Sequence, residues 1–178
     1  MQRRGLTAEQ VYNCDETGLN FRMLPFKTLV SKQEKSAPGF KKRKERVTVM
    51  ACSNALGNHK MELVVIGKSK NPRAFKNIRK QKSSLPVYYT NQRSAWMNSK
   101  IFKQCFHEEF VTAVSKFLES KGLPREAYLL LDNAPSHPDA SELRDGNIRV
   151  LYFPPNVTSI AQPMDQGTLE LLKKKIPS

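Results

Sequence analysis

The sequence lacks the features of a membrane or secreted protein. It contains no run of about 18 apolar residues, so no transmembrane helix and no membrane partner are expected. The start, MQRRGLTAEQ, has no apolar stretch of the kind found in signal peptides. Cysteine is scarce: Cys14, Cys52 and Cys105 are far apart and form no C-x-x-C pair, which argues against a zinc site or a disulfide framework. We therefore predict an intracellular protein with reduced, buried thiols.

Internal repeats and low-complexity segments are also lacking. The chain has 178 residues, of which 39% are apolar. A chain of this length buries about 70% of the surface that it exposes when unfolded. The sequence therefore predicts a single domain, residues 1–178, with a substantial core.

Acidic residues are scarce in one part of the chain, which carries most of the net charge of +14. Residues 32–46 contain seven Lys/Arg and two Glu, and residues 60–82 contain eight and one, whereas residues 100–178 have ten of each sign. This clustering favours a polyanionic partner, most simply DNA; a solubilising surface is the alternative. The predicted nucleic-acid-binding residues are Lys41, Lys42, Arg43, Lys44, Arg46, Lys68, Lys70, Arg73, Lys76, Arg79 and Lys80.

The order of apolar patterns predicts an α/β fold, a mixed sheet with helices packed on it. The predicted elements are a strand at 10–15, a hairpin at 46–68, a short strand at 85–90, a helix at 99–122, a strand at 127–131, a short helix at 141–146, a strand at 148–153 and a helix at 158–175.

The helix at 99–122 has the clearest pattern. An apolar stripe recurs at steps of four and three, and it consists of Phe102, Phe106, Phe110, Val114 and Phe117. Ser99 is the predicted N-cap, and Gly122 is the predicted glycine just past the end of the helix.

Three aspartates occupy positions where a lone carboxylate would be costly. Asp15 ends the first predicted strand, and Asp132 follows the apolar strand 127–131. Asp165 falls in the first turn of the last predicted helix, on the same face as two leucines that follow it. A charge beside buried surface needs a partner. Divalent cations accept carboxylate ligands, and two Mg²⁺ ions about 3.5–4 Å apart promote phosphodiester cleavage. The pattern therefore favours a metal site; the alternative is that each Asp is a cap or turn residue.

Residues next to these aspartates are weaker candidates. Asn133 is predicted to orient the carboxylate of Asp132 from the second layer of the site. His137 would lie at the rim of the site and contact phosphate, or it would be a loop histidine bonded to backbone. Glu16 would assist the metal site or be a solvated neighbour of Asp15. Elsewhere, Trp96 with Tyr88 and Tyr89 would stack on bases or pack in the core.

Four stretches carry a resemblance: NCDETGLNFRMLP, VTVMACSNALG, LLLDNAPSHP and FPPNVTSIAQPMDQG. In this order they resemble the DDE superfamily endonuclease domain of the pogo group, and more narrowly Tigger transposable-element-derived and Jerky-like proteins. The resemblance implies a ribonuclease H-like (retroviral-integrase-like) fold, dependence on Mg²⁺ or Mn²⁺, and a nuclear location. It also implies that Asp15, Asp132 and Asp165 are the catalytic, metal-binding triad. Family members use such a triad to cut DNA strands and to join 3′-hydroxyls to target DNA.

The resemblance also predicts which parts of its relatives this domain lacks. Full-length relatives carry N-terminal helix-turn-helix domains that have no counterpart in these residues, and the chain ends 13 residues after Asp165. We therefore expect a domain that is truncated in its last helix. Two functions stay open: metal-dependent phosphodiester cleavage and strand transfer, or a catalytically silent DNA-binding or chromatin-interaction module. No small-molecule cofactor is expected, and the sequence does not predict the oligomeric state.

Overall fold

Seven strands of the described residues form one mixed sheet. The computed structural model describes residues 5–20, 45–76, 85–154, 162–165 and 167–175. The strands are β1 (Val11–Asn20), β2 (Arg46–Asn54), β3 (Val64–Gly67), β4 (Tyr88–Asn91), β5 (Glu126–Leu131), β6 (Arg144–Asp145) and β7 (Asn147–Tyr152). Their order across the sheet is β4-β3-β2-β1-β5-β7-β6. The predicted mixed sheet is therefore confirmed.

Most strands run in one direction. β1, β5 and β7 are parallel neighbours, and β3 is parallel to β4. β2 is antiparallel to both β1 and β3, so β3 and β4 run the same way as β1. The C-terminal ends of these five strands and the start of β2 consequently lie together, and we call this end the carboxyl end of the sheet.

The first strand is longer than predicted. β1 continues to Asn20 because β2 pairs with it along its length, from Tyr12 opposite Asn54 to Asn20 opposite Arg46. Asp15 therefore lies in the middle of a strand and does not end one. Residues such as Asp and Gly have low strand propensity, so the pairing with β2 is what extends the strand here.

One long helical segment covers a face of the sheet. It consists of α1 (Ser99–Gln104), a π-helical turn (Cys105–Phe110) and α2 (Val111–Ser120). Its N-cap is Asn98, not Ser99, because the Asn98 side chain accepts a hydrogen bond from the Ile101 amide at 2.9 Å. Gly122 ends it with a φ of +64°, as predicted for a glycine at this position.

The core lies between this segment and the sheet. The predicted stripe is buried from Phe102 to Val114, but the next fully buried residue is Leu118, whereas Phe117 is only partly buried. The π-helical turn has more residues per turn, so steps of four stay on one face. All three cysteines are buried and free, which confirms the prediction for the thiols.

The C-terminal half departs from two predictions. Residues 141–146 do not form a helix: a 3₁₀ turn (Ala140–Glu142) leads into the short edge strand β6. The last helix, α3, spans Thr168–Lys175, and residues 158–161 of the predicted helix lie outside the described residues. A separate 3₁₀ turn, Pro163–Asp165, precedes it, and Gly167 separates the two with a φ of +89°. Asp165 therefore lies before the helix and not in its first turn. Among the described helices, none is long and apolar enough to cross a membrane.

Candidate active site

Asp132 lies at the carboxyl end of the sheet, as predicted. It directly follows β5, which ends at Leu131. β1 and β5 are parallel, with Asn13 opposite Leu130. Asp15 and Asp132 each follow this last pair by two residues, Asp15 within β1 and Asp132 just beyond the end of β5.

Alternate residues of β1 lie on opposite faces of the sheet. We call the face with Tyr12, Cys14, Glu16 and Gly18 the even face, and the face with Asn13, Asp15 and Thr17 the odd face. Tyr12 packs edge-on against Phe110 at 5.3 Å between ring centroids, so the long helical segment covers the even face. Asp15 consequently belongs to the face away from that segment.

Asn13 connects the three chain segments that carry the aspartates. Its side-chain amide donates to the Leu130 carbonyl at 3.0 Å, two residues before Asp132. Its side-chain oxygen accepts from the Met164 amide at 3.0 Å, one residue before Asp165. Asn13 itself precedes Asp15 by two residues and is only 6% exposed. One buried side chain thus fixes the backbones of all three segments relative to one another.

A second amide side chain attaches the 3₁₀ turn to β1. Gln162 is buried, and its side-chain NH₂ group donates to the Cys14 carbonyl at 3.4 Å. With the bond from Met164, this places the segment Gln162–Asp165 against β1. The side chain of Asp165 lies outside the described set, so the convergence of the three carboxylates stays a prediction.

His137 bridges two carboxylates beside this cluster. Its Nδ1 lies 3.2 Å from Asp132 Oδ1, and its Nε2 lies 3.2 Å from Glu16 Oε1. Burial of the ring would lower the pKa of His137, but hydrogen bonds to Asp132 and Glu16 outweigh burial and raise it to about 10. The ring therefore carries both protons at neutral pH and donates to both carboxylates.

These contacts revise the interpretation of the neighbouring residues. The His137 side chain is only 3% exposed, and its ring packs on that of Phe102 with 4.6 Å between ring centroids. The ring is therefore buried and does not lie at an open rim of the site. Nδ1 also contacts the Asp132 carbonyl oxygen at 3.1 Å, which fits the alternative of a loop histidine bonded to backbone. Glu16 is not a solvated neighbour, because its side chain is largely buried against His137. Asn133 is exposed, and its predicted effect on Asp132 stays a prediction.

The donor chemistry of the aspartates suits a hard divalent cation. Asp15 and Asp132 supply carboxylate oxygens, the ligands that Mg²⁺ and Mn²⁺ prefer. Among the described side chains, no group of three carboxylate, imidazole or thiol ligands is close enough to hold a metal ion. A complete set would need Asp165, whose side chain is not part of that search. Asp15 Oδ1 accepts from the Glu16 amide at 2.7 Å, which restrains one of its oxygens.

The described members of the predicted DNA-binding set lie at the same end of the sheet as Asp132. Arg46 begins β2, and the exposed Lys68, Lys70, Arg73 and Lys76 follow the C-terminal end of β3. The other predicted DNA-binding residues, Lys41–Lys44, Arg79 and Lys80, lie outside the described residues. The uneven distribution of charge along the sequence thus corresponds to a cationic region at the carboxyl end of the sheet.

Comparison with known proteins identifies the family of the chain. A protein-family model described as DDE superfamily endonuclease matches residues 44–176. The chain is 44% identical over 165 residues to the Jerky protein homolog of Homo sapiens and 35% identical over 175 residues to its Tigger transposable element-derived protein 7. The matches cover 92% and 95% of this chain but only 28% and 31% of those relatives, so the chain spans less than a third of their length.

A solved structure supports the fold. The Mos1 transposase paired-end complex with left transposon end superposes with a TM-score of 0.53 at 13% identity, over 94% of this chain and 42% of that one. At this identity the likeness concerns the fold alone. It confirms the predicted ribonuclease H-like architecture.

Proposed function

Since the chain belongs to the DDE superfamily endonuclease family, we propose that it is a transposase-derived domain that binds DNA at the carboxyl end of its sheet. We further propose that, with Mg²⁺ or Mn²⁺, this end has the ancestral activity of phosphodiester cleavage and strand transfer. Both statements concern this domain, which is less than a third of its curated relatives.

The observation that carries the proposal is the position of Asn13. A catalytic carboxylate set must be held to within fractions of an ångström, because roughly 1 Å of misplacement can cost about a hundredfold in rate. Asn13 bonds to the backbone of Leu130 and of Met164, and it lies on the same strand as Asp15. A buried amide that connects these three segments supports a site whose parts work together.

The aspartates would hold the metal, and the basic residues would hold the DNA. Asp15 and Asp132 are two of the proposed ligands, and Asp165 is the third. A bound divalent cation would activate the attacking hydroxyl and stabilise the leaving oxygen of the phosphodiester. Lys68, Lys70 and Arg73 would bind backbone phosphates, which positions the strand without reading its sequence.

The contacts of His137 favour a second candidate, a catalytically silent DNA-binding or chromatin-interaction module. The protonated ring donates to the carboxylates of Asp132 and Glu16 and offsets one of their two negative charges. A carboxylate with a cationic partner of this kind no longer requires a metal ion. The same fold and the same cationic region would then serve DNA binding alone.

A nicking assay separates the two candidates. Supercoiled plasmid is incubated with the chain and Mn²⁺ or Mg²⁺, and nicked product is measured for the wild type, Asp132→Asn and Asp145→Asn. Asp145 is the matched control because it lies in the edge strand β6 and forms an exposed ion pair with Arg125. We expect slow nicking that Asp132→Asn abolishes and Asp145→Asn leaves unchanged. Binding without any nicking would favour the silent module.

DNA binding is tested through charge and salt. If about four phosphates are neutralised, log K should fall with log[salt] at a slope near −3.6. The double variant Lys68→Gln/Lys70→Gln should lower this slope by about two. The variant Lys60→Gln/Lys116→Gln removes the same charge from exposed residues outside this end and should leave the slope unchanged. Equal slopes for the two variants would contradict the assignment of the binding surface.

We also propose a nuclear location, which the family resemblance and the basic run at residues 41–44 support. Imaging of a tagged chain in cells, compared with a variant in which these four residues are replaced by Gln, tests this. Cytoplasmic retention of both proteins would contradict it.

A further inference from the structure

The one tryptophan of the chain is held in an exposed position. Trp96 is 57% exposed, whereas its neighbours Ala95 and Met97 are buried. Ala95 has a φ of +55°, a left-handed conformation that is uncommon for residues other than glycine. This backbone is fixed by a hydrogen bond from the Thr48 hydroxyl to the Ala95 carbonyl at 2.7 Å. Ala95 and Met97 therefore anchor the segment in the core, and the large ring of Trp96 lies outside it.

Arg46 lies over this ring. Its guanidinium carbon is 3.8 Å from the centre of the Trp96 ring, and one of its terminal nitrogens donates to the Thr48 hydroxyl at 3.1 Å. On the other side, the guanidinium lies over Gly18: a Cβ there would be 3.4 Å from Arg46 Cζ. The absence of a side chain at Gly18 thus leaves room for the guanidinium between β1 and Trp96.

This pair lies at the carboxyl end of the sheet, on the even face of β1 and not on the face that carries Asp15. Gly18 follows Glu16 by two residues on the even face of β1, a distance of about 7 Å along the strand. The amide of Gln92, four residues before Trp96, donates to the carbonyl of Gly67 at 2.9 Å. Gly67 directly precedes the exposed Lys68, so the ring is positioned beside the cationic region.

We propose that Trp96, backed by Arg46, is a stacking platform for an unpaired base of the DNA bound at the carboxyl end of the sheet. This inference rests on the proposed function, because the DNA backbone would be held by the neighbouring cations. Every base has a flat face that stacks on an indole, and an arginine adds cation–π attraction. Bases inside a duplex are already stacked on each other, so a base from a single-stranded segment is the matching partner.

Because the chain has a single tryptophan, its tryptophan emission, excited selectively over that of the tyrosines, reports on residue 96 alone. The wild type is titrated with a 12-nucleotide single-stranded DNA and with an abasic oligomer of equal length and charge, and binding is followed in parallel by anisotropy of a 5′ label. We expect the single strand to quench the emission on binding, because a base stacks on the ring. The abasic oligomer should bind through its phosphates and cause little quenching.

Substitutions test the contribution to affinity. Trp96→Ala should lose about tenfold in affinity for the single strand, whereas Trp96→Phe, which keeps an aromatic face, should retain most of it. Leu56→Ala is the matched control: Leu56 is 59% exposed but lies in the turn after β2, at the opposite end of the sheet, and its removal should change nothing. A circular-dichroism melt of each variant confirms that it is folded.

The outcomes separate the platform from the proposed function. Equal quenching by both oligomers, or unchanged affinity in Trp96→Ala, would overturn the platform while salt-dependent binding still supported the DNA-binding domain. Emission that is blue-shifted before DNA is added and reverts on dilution would show that a second copy covers Trp96, and would also overturn the platform. Failure of every oligomer to bind would overturn both proposals.

Discussion

The two faces of β1 are both buried, but different interactions hold them. On the even face, Tyr12 and Cys14 pack against the apolar side of the long helical segment. On the odd face, Asn13 is equally inaccessible, yet its side chain makes hydrogen bonds to two distant backbones. Apolar contacts are non-directional and tolerate small changes of position, whereas two amide hydrogen bonds fix the position of each partner.

The two faces of β1 therefore have different roles. The even face supplies most of the stability, since burial of large apolar side chains is the dominant favourable contribution to folding. The odd face fixes the segments that carry Asp15, Asp132 and Asp165. The thiols fit the first role: hydrogen bonding with Cys52 and burial raise the pKa of Cys14 well above its ordinary value, so this thiol stays protonated.

The largest expected effect is on the even face. Phe106 is 1% exposed and packs against Phe110 with 5.5 Å between ring centroids. Phe106→Ala should lower the free energy of unfolding by about 4 kcal/mol, because the lost burial and the resulting cavity both destabilise the fold. Urea denaturation followed by circular dichroism measures this. Leu151→Ala, at an exposed site, is the control, and a similar loss in both variants would show that burial at this face is not decisive.

A smaller but more localised effect is expected on the odd face. Asn13→Ala should cost about 2 kcal/mol, because it leaves the Leu130 carbonyl and the Met164 amide without their partner. The Met164 amide, in the 3₁₀ turn Pro163–Asp165, should also exchange with solvent faster in the variant than in the wild type. Hydrogen exchange measured residue by residue would detect this.

Asn58→Ala is the matched control for Asn13. Asn58 also makes two side-chain hydrogen bonds, to Asn54 and Glu9, but it is exposed at the opposite end of the sheet. Its loss should cost under about 0.5 kcal/mol, since water replaces both partners. If Asn13→Ala cost no more than Asn58→Ala, or left exchange at Met164 unchanged, the positioning role of Asn13 would be wrong.

The contrast between the two faces of β1 also explains which features the sequence predicts and which it does not. The even face and the helix that covers it follow from the spacing of apolar residues, and Asp132 follows from an apolar strand that ends at a charge. The role of Asn13 does not, because its partners are 117 and 151 residues away and any polar residue fits a local pattern. The full length of β1 does not follow from the sequence for a similar reason, since its second half is defined by pairing with β2. A buried Asn between Tyr12 and Cys14 is the signal that could have indicated a polar partner on the odd face.

The smallest expected effect concerns a polar contact on the even face, the pair of Tyr12 and His59. His59 Nδ1 lies 2.8 Å from the Tyr12 hydroxyl, and the imidazole stacks on Phe117 with 4.2 Å between ring centroids. Burial lowers the pKa of His59 from its ordinary value of 6.5. The unfolded chain therefore takes up this proton at a higher pH than the folded chain does.

The sign of the pH dependence follows from this order of protonation. The stability associated with a neutral His59 is complete above pH 6.5 and declines as the pH falls through 6.5 towards the lower folded pKa. We expect the free energy of unfolding to decrease slightly more between pH 7.5 and 5.5 in the wild type than in His59→Gln, which cannot titrate. Urea denaturation at both pH values gives this difference, and carboxylates that titrate in both proteins cancel from it. A steeper decline in the variant than in the wild type would contradict this expectation. It would mean that the folded protein binds the His59 proton more tightly than the unfolded chain does, as an ion pair with Glu9 would require.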